Sequence, residues 1–233
     1  MKTFRFIMIL SIVAMVGLLY GCNISVNKSI YVKDGETLHY GPKTVNGSIT
    51  IGNNCIIEGN SNTVNGKIEV GNNCRVKSLK TVNRGISVGK GTVADGKIGT
   101  VNGSITCAED VEVDEDISTV NGSITCAAGV KAGGDVSTVN GDIELKNTEV
   151  KGNVKTCNGD VTLKNKSVVS GDIIIKENHS FTKNFQRPEI RISEDSLVKG
   201  DIIIEDEDIK IKVYLSQGGK VEGQIRGAEV IRE

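Results

Sequence analysis

The sequence predicts an all-β fold: a single-stranded, three-sided parallel β-helix (β-solenoid) of about nine to ten coils of 18–19 residues. Three observations carry that prediction. The motif Thr-Val-Asn-Gly recurs with its Thr at 44, 63, 81, 100, 119, 138 and 156, at spacings of 19, 18, 19, 19, 19 and 18; Arg84 replaces one Gly and Cys157 one Val. Within one repeat, Ile105-Thr106-Cys107, Val111-Glu112-Val113 and Ile117-Ser118-Thr119 each alternate with the in–out period of a strand. Three such segments per repeat close a triangle, and the i, i+3, i+4 spacing of a helix is absent. The composition agrees: 28 Gly, 2 Pro, no Trp and 3% aromatics suit thin repeated layers better than a pocket or an interface hot spot.

The elements follow in chain order. Residues 1–21 read as an export signal. Lys2 and Arg5 precede a 15-residue apolar run from Phe6 to Tyr20, short of the roughly 20 residues a membrane span needs. Leu19-Tyr20-Gly21-Cys22 resembles a bacterial lipobox. That resemblance implies cleavage before Cys22 and acylation of Cys22, with two or more chains giving stable anchoring. An ordinary secretory signal or an uncleaved anchor is the competing reading. Asn23, where Asp would favour inner-membrane retention, points to the outer membrane, facing the periplasm or the surface. Without residues 1–21 the chain keeps 26 Lys and Arg against 29 Asp and Glu, a net charge of −3.

Residues 22–43 are expected to hold the lipidated N-terminus and an opening coil, and residues 44–175 the regular solenoid. Stacked coils lie about 4.8 Å apart, so like side chains should form columns. One interior column is Ile49, Ile68, Ile86, Ile105, Ile124, Ile143 and Val161. A second is Ile51, Val70, Val88, Cys107, Cys126, Leu145 and Leu163, and a third contains Ile98, Ile117 and Val136. Asn46, Asn65, Asn83, Asn102, Asn121, Asn140 and Asn158 should form a structural ladder, amide to amide, at one corner. The Gly that follows is expected to supply a positive φ there.

Regularity fades after Cys157. Val169-Ser170-Gly171-Asp172-Ile173 recurs as Val198-Lys199-Gly200-Asp201-Ile202 after 29 residues. The excess over one coil marks a loop insertion at 176–189, followed by closing coils and a C-terminal cap at 190–233. The insertion carries His179, Phe181, Phe185 and Arg187, the candidate binding loop.

The cysteines follow the same period. Cys55 and Cys74 are 19 apart, as are Cys107 and Cys126. Stacking brings each pair within the Cα window of a disulfide, about 4.4–6.8 Å, but in-register parallel side chains give poor torsions. Buried thiols and stacked disulfides both stay open. No Cys-x-x-Cys and no neighbouring His suggests zinc, and no cofactor is expected.

Charge and pattern narrow the function. Near balance between 28 Lys and Arg and 29 Asp and Glu argues against nucleic acid. An ice-binding array fails because Glu69 and Glu144 interrupt the outward series Thr50, Ser87, Thr106, Thr125 and Thr162. The acidic runs 109–116 and 205–208 lack the glycine repeat of calcium-binding β-rolls. Solenoid enzymes need clustered catalytic side chains, whereas the only His are His39 and His179, and the loop residue His179 has no evident partner.

The Thr-Val-Asn-Gly-Ser-Ile and Val-x-Gly-Asp-Ile coils resemble those of bactofilin-like polymer-forming proteins and adhesin-like β-solenoids of bacterial envelopes, over about residues 40–205. The resemblance implies a right-handed β-helix, no cofactor and end-to-end self-association. The export signal departs from the bactofilin pattern. The expected function is therefore a non-enzymatic, lipid-anchored envelope scaffold or adhesin-like spacer. Its partners would be the lipid membrane through acylated Cys22, and a second copy or an envelope glycan or protein. The alternatives are a carbohydrate-binding or carbohydrate-active β-helix centred on the insertion, and a bactofilin-like cytoskeletal polymer.

Overall fold

The computed structural model describes residues 24–176, 188–206 and 211–233. They form a parallel β-solenoid of about ten turns, built from three sheets that the chain visits in strict rotation. The first sheet has 11 strands, from Ile24–Ser25 to Ile225–Arg226. The second also has 11, from Ile30–Val32 to Ala228–Arg232, and the third has 10, from Thr37–Leu38 to Lys220–Val221. Each coil therefore bonds only to the coil before it and the coil after it.

Strands are short because each side of the triangle is short. Five strands of the second sheet hold three residues with a buried–outward–buried pattern, as in Ile105–Cys107 and Ile124–Cys126. The register is set by the apolar columns. Ile86 pairs with Ile105, Ile105 with Ile124 and Ile124 with Ile143, all essentially inaccessible to water. Slipping one residue would turn both apolar columns outward, so burial fixes the pairing. The third predicted column is longer than its three residues: it runs from Leu79 through Ile98, Ile117, Val136 and Val154 to Ile173 and Ile202. A fourth, in the third sheet, joins Ile57, Val76, Ala94, Val113, Ala132 and Val150. All belong to one axial core.

The second sheet resumes at Glu189, inside the expected insertion, because Ile190 and Ile192 continue the columns of Val161 and Leu163. At the other end the stack already keeps full register in the opening coil, where Ile30 and Val32 pair with Ile49 and Ile51. The final strand is less complete. Val230 continues the column of Val213, yet it is 36% exposed, and Arg232 stands in the column of Leu215.

Candidate functional site

The distinctive chemistry of this chain lies at the three corners, where side chains bond coil to coil. Between the first and second sheets the asparagines form a continuous file. Asn65 Nδ2 donates to Asn46 Oδ1 at 2.6 Å, Asn121 to Asn102 at 2.8 Å, Asn140 to Asn121 at 2.7 Å and Asn158 to Asn140 at 2.7 Å. Asn83 and Asn102 complete the run at 2.6 and 3.1 Å. Asn46 in turn donates to Asn27 Oδ1 at 2.6 Å, so the file begins one coil earlier than the Thr-Val-Asn-Gly motif. Val26-Asn27-Lys28-Ser29-Ile30 matches Val45-Asn46-Gly47-Ser48-Ile49 apart from one residue, and that was the signal for it.

The motif threonines face inward and solve a second problem. Six of the seven hydroxyls donate to a carbonyl at the neighbouring corner, among them Thr63 to Gly47 at 2.8 Å, Thr100 to Arg84 at 2.7 Å and Thr119 to Gly103 at 2.8 Å, while the buried Thr156 hydroxyl has no partner among the described residues. A buried hydroxyl without such a partner would be costly. Of the six motif glycines, Gly141 (φ 153°) and Gly159 (φ 156°) have the positive φ the sequence suggests, and the other four have a different role. Gly47, Gly66, Gly103 and Gly122 do not adopt the left-handed backbone. They are required because a Cβ there would overlap the backbone of the adjacent coil; at Gly122 it would collide with the Gly103 carbonyl.

The left-handed corner lies between the second and third sheets. Asn54 (φ 57°), Asn73 (54°), Gly91 (66°), Asp110 (57°) and Gly129 (81°) occupy it in successive coils. These are the residue types that tolerate the left-handed region. Just inside it runs a buried column in which one coil's side chain accepts a backbone N–H of another. Cys55 N donates to Cys74 Sγ at 3.4 Å, Cys74 N to Thr92 Oγ1 at 3.1 Å and Thr148 N to Ser167 Oγ at 3.1 Å. A shallow open depression of about 410 Å³ follows the same corner, lined by Ala128, Asn147, Asn165, Lys166, Glu194 and Asp195.

The third corner is acidic. Asp116, Asp135, Asn153, Asp172 and Asp201 each accept the backbone N–H of the equivalent residue one coil on, at 2.7–3.0 Å. Cations neutralise several of these carboxylates: Lys97 meets Asp116 at 2.7 Å and Lys155 meets Asp135 at 2.5 Å. Asp95 is held between Arg75 at 2.8 Å and Lys77 at 2.9 Å. Burial alone would raise the Asp95 and Asp135 carboxyls, but Lys77 and Arg75 at Asp95, and Lys155 with the Asn153 N–H groups at Asp135, overcome it and hold both below the usual carboxylate range.

The predicted site residues distribute as follows. Cys55, Cys74, Cys107 and Cys126 are buried thiols, as is Cys157, which fills a valine slot. Cys107 and Cys126 face each other in register. Hydrogen bonding to Cys107 and burial together push the Cys126 thiol far up. His39 sits at the surface, its Nδ1 2.6 Å from Glu58 Oε2. Cys22, His179, Phe181, Phe185 and Arg187 lie outside the described residues. Near the insertion, Arg191 stacks 5.3 Å from the centre of the Tyr214 ring and pairs with Glu189. Among the described residues no group of three or more His, Cys, Asp or Glu is placed to hold a metal, and no helix is long and apolar enough to cross a membrane.

Fold and corners together define a three-sided parallel β-solenoid whose coils are stitched by side-chain ladders. Comparison with protein-family models, with curated proteins and with solved structures finds no match to the chain.

Proposed function

We propose that the protein is a lipid-anchored, non-enzymatic scaffold of the bacterial cell envelope. One observation supports the reading above others: equivalent contacts recur at all three corners, so a single core runs through about ten turns without a break in register. Such a body is a stiff column on the order of 45 Å long. It presents fixed rows of Thr, Ser, Lys and Glu at intervals of about 4.8 Å. The lipobox-like Leu19-Tyr20-Gly21-Cys22 stands immediately before the first strand, so acylated Cys22 would tether one end of the column.

The test is metabolic labelling of the full chain in a bacterial host with an alkyne-tagged palmitate. The expected result is a labelled protein in the membrane fraction, with label and membrane association both lost in Cys22→Ser. An unlabelled wild type overturns the anchor. Glycan turnover that is abolished by His179→Ala with the fold intact would favour the carbohydrate-active alternative. Long filaments in negative-stain images would favour the polymer-forming one.

A further inference from the structure

The three sides of the column do not share charge equally. The first-sheet strands and asparagine corners of eight successive coils comprise residues 24–28, 43–47, 61–66, 79–84, 98–103, 117–122, 136–141 and 154–159. None of the chain's 29 Asp and Glu falls within them. Strand pairing lays these segments side by side, with Lys43, Asn62, Lys80, Gly99, Ser118, Ser137 and Lys155 in one outward row. Beside that row the motif valines, Val45 to Val139, are only half buried, and beyond them runs the exposed asparagine file.

The cations in the first coils of this side are also unneutralised, whereas Lys155, further along the same row, pairs with Asp135. Lys28, Lys43, Lys80 and Arg84 meet no carboxylate among the described residues, whereas Lys67, Arg75, Lys77, Lys90 and Lys97 on the other sides and corners each do. Lys28 and Arg84 stand where Gly47, Gly66, Gly103 and Gly122 stand in other coils. All four lie in the first stretch of the column: residues 24–95 carry nine Lys and Arg against five Asp and Glu.

We infer that this acid-free side is a membrane-docking surface that lies along an anionic lipid bilayer. A planar anionic surface attracts unpaired Lys and Arg within a Debye length, whatever their spacing. Half-exposed valines beside them suit the headgroup boundary, where apolar atoms gain from leaving water. A regular anionic polymer would call for cations along the whole row, yet Gly99, Ser118 and Ser137 are neutral. The first strand of this same sheet begins at Ile24, two residues after Cys22, so an acyl chain there would leave the column beside this side. The inference thus deepens the scaffold reading by fixing which side faces lipid, although its test does not need the anchor.

The test uses residues 24–233, which contain all three sheets and the whole core and lack Cys22. Co-sedimentation is measured with vesicles of phosphatidylglycerol and phosphatidylcholine, and with phosphatidylcholine alone. The expected result is binding to the anionic vesicles only, weakening as salt is added. The triple variant K43Q/K80Q/R84Q should bind on the order of 100-fold more weakly, at about five-fold per charge. The matched variant K131Q/K146Q/K151Q, which removes three charges from other sides, should bind within about five-fold of the parent. Circular dichroism of each variant checks the fold. Equal weakening by both triples, or no preference for anionic vesicles, overturns the inference. So does binding to soluble dextran sulfate without binding to vesicles. Palmitate labelling of the full chain fails or succeeds independently of these outcomes.

Discussion

Replacing Gly122 by Ala tests the stacking argument most directly. Gly122 has an ordinary backbone, so Ala suffers no conformational penalty there; its only difficulty is the coil beneath. A Cβ would fall well inside 3.0 Å of the Gly103 carbonyl, and the obstacle is backbone, which cannot swing aside. The two coils must part locally. Three hydrogen bonds donated by the residues flanking Gly122 cross that seam: Asn121 N to Val101 O at 2.7 Å, Asn121 Nδ2 to Asn102 Oδ1 at 2.8 Å and Ser123 N to Ser104 Oγ at 3.2 Å. At about 1 kcal/mol each, their loss gives a destabilisation of about 3 kcal/mol. Gly35→Ala is the control. Gly35 is left-handed (φ 75°) with nothing within 4 Å of its Cβ position, so Ala there should cost about 1 kcal/mol. Gly35→Asn should be near neutral, since Asn54 and Asn73 already occupy the same slot in later coils. Urea unfolding followed by circular dichroism reads all three. The reasoning is refuted if Gly35→Ala proves as costly as Gly122→Ala.

Other outcomes follow from the same contacts. Asn121→Ala removes two amide bonds of the ladder, at 2.8 and 2.7 Å, and should cost about 1–2 kcal/mol in urea unfolding; no change would mean water replaces the ladder fully. Ser61 is buried in the first-sheet core column with no hydrogen-bond partner for its hydroxyl among the described residues, so Ser61→Ala should raise the thermal midpoint. Asp95 has a folded pKa held below its unfolded value, so its contribution is present above about pH 4 and is lost as pH falls through the folded value. Asp95→Asn should therefore cost about 1 kcal/mol at neutral pH and converge with the parent in acid. The five buried thiols should resist iodoacetamide at pH 8 until the chain is denatured, and rapid native labelling of Cys107 or Cys126 would contradict their burial.

Much of this architecture can be read in the sequence because two periods are superimposed. Alternation marked which residue of each strand points inward, and the repeat of 18–19 marked which coils share a column. Ile105, Ile124 and Ile143 needed nothing more to be aligned. The corners were harder, because their chemistry depends on how one coil sits over the next. The approach that demands Gly122 is between coils and leaves no local trace, and the Asn-Asn pairs at 53–54 and 72–73, whose second residues are left-handed, went unread because the positive φ was expected at the motif glycines. The backbone-accepting row through Asp116, Asp135 and Asp172 was visible only as a Gly-Asp-Ile fragment, since its partner N–H lies a full coil away. The acid-free side emerged once strands 18–19 residues apart were laid next to each other.

The last strand places Arg232 where Leu215 would have a leucine-like successor. Parallel β-stacks grow by templating, and an open terminus invites runaway addition. A strand laid on this one would have to entomb the Arg232 guanidinium, a penalty of several kcal/mol unless it brought a carboxylate to pair with it. A single arginine in that column thereby works against addition of a further strand to Ala228–Arg232.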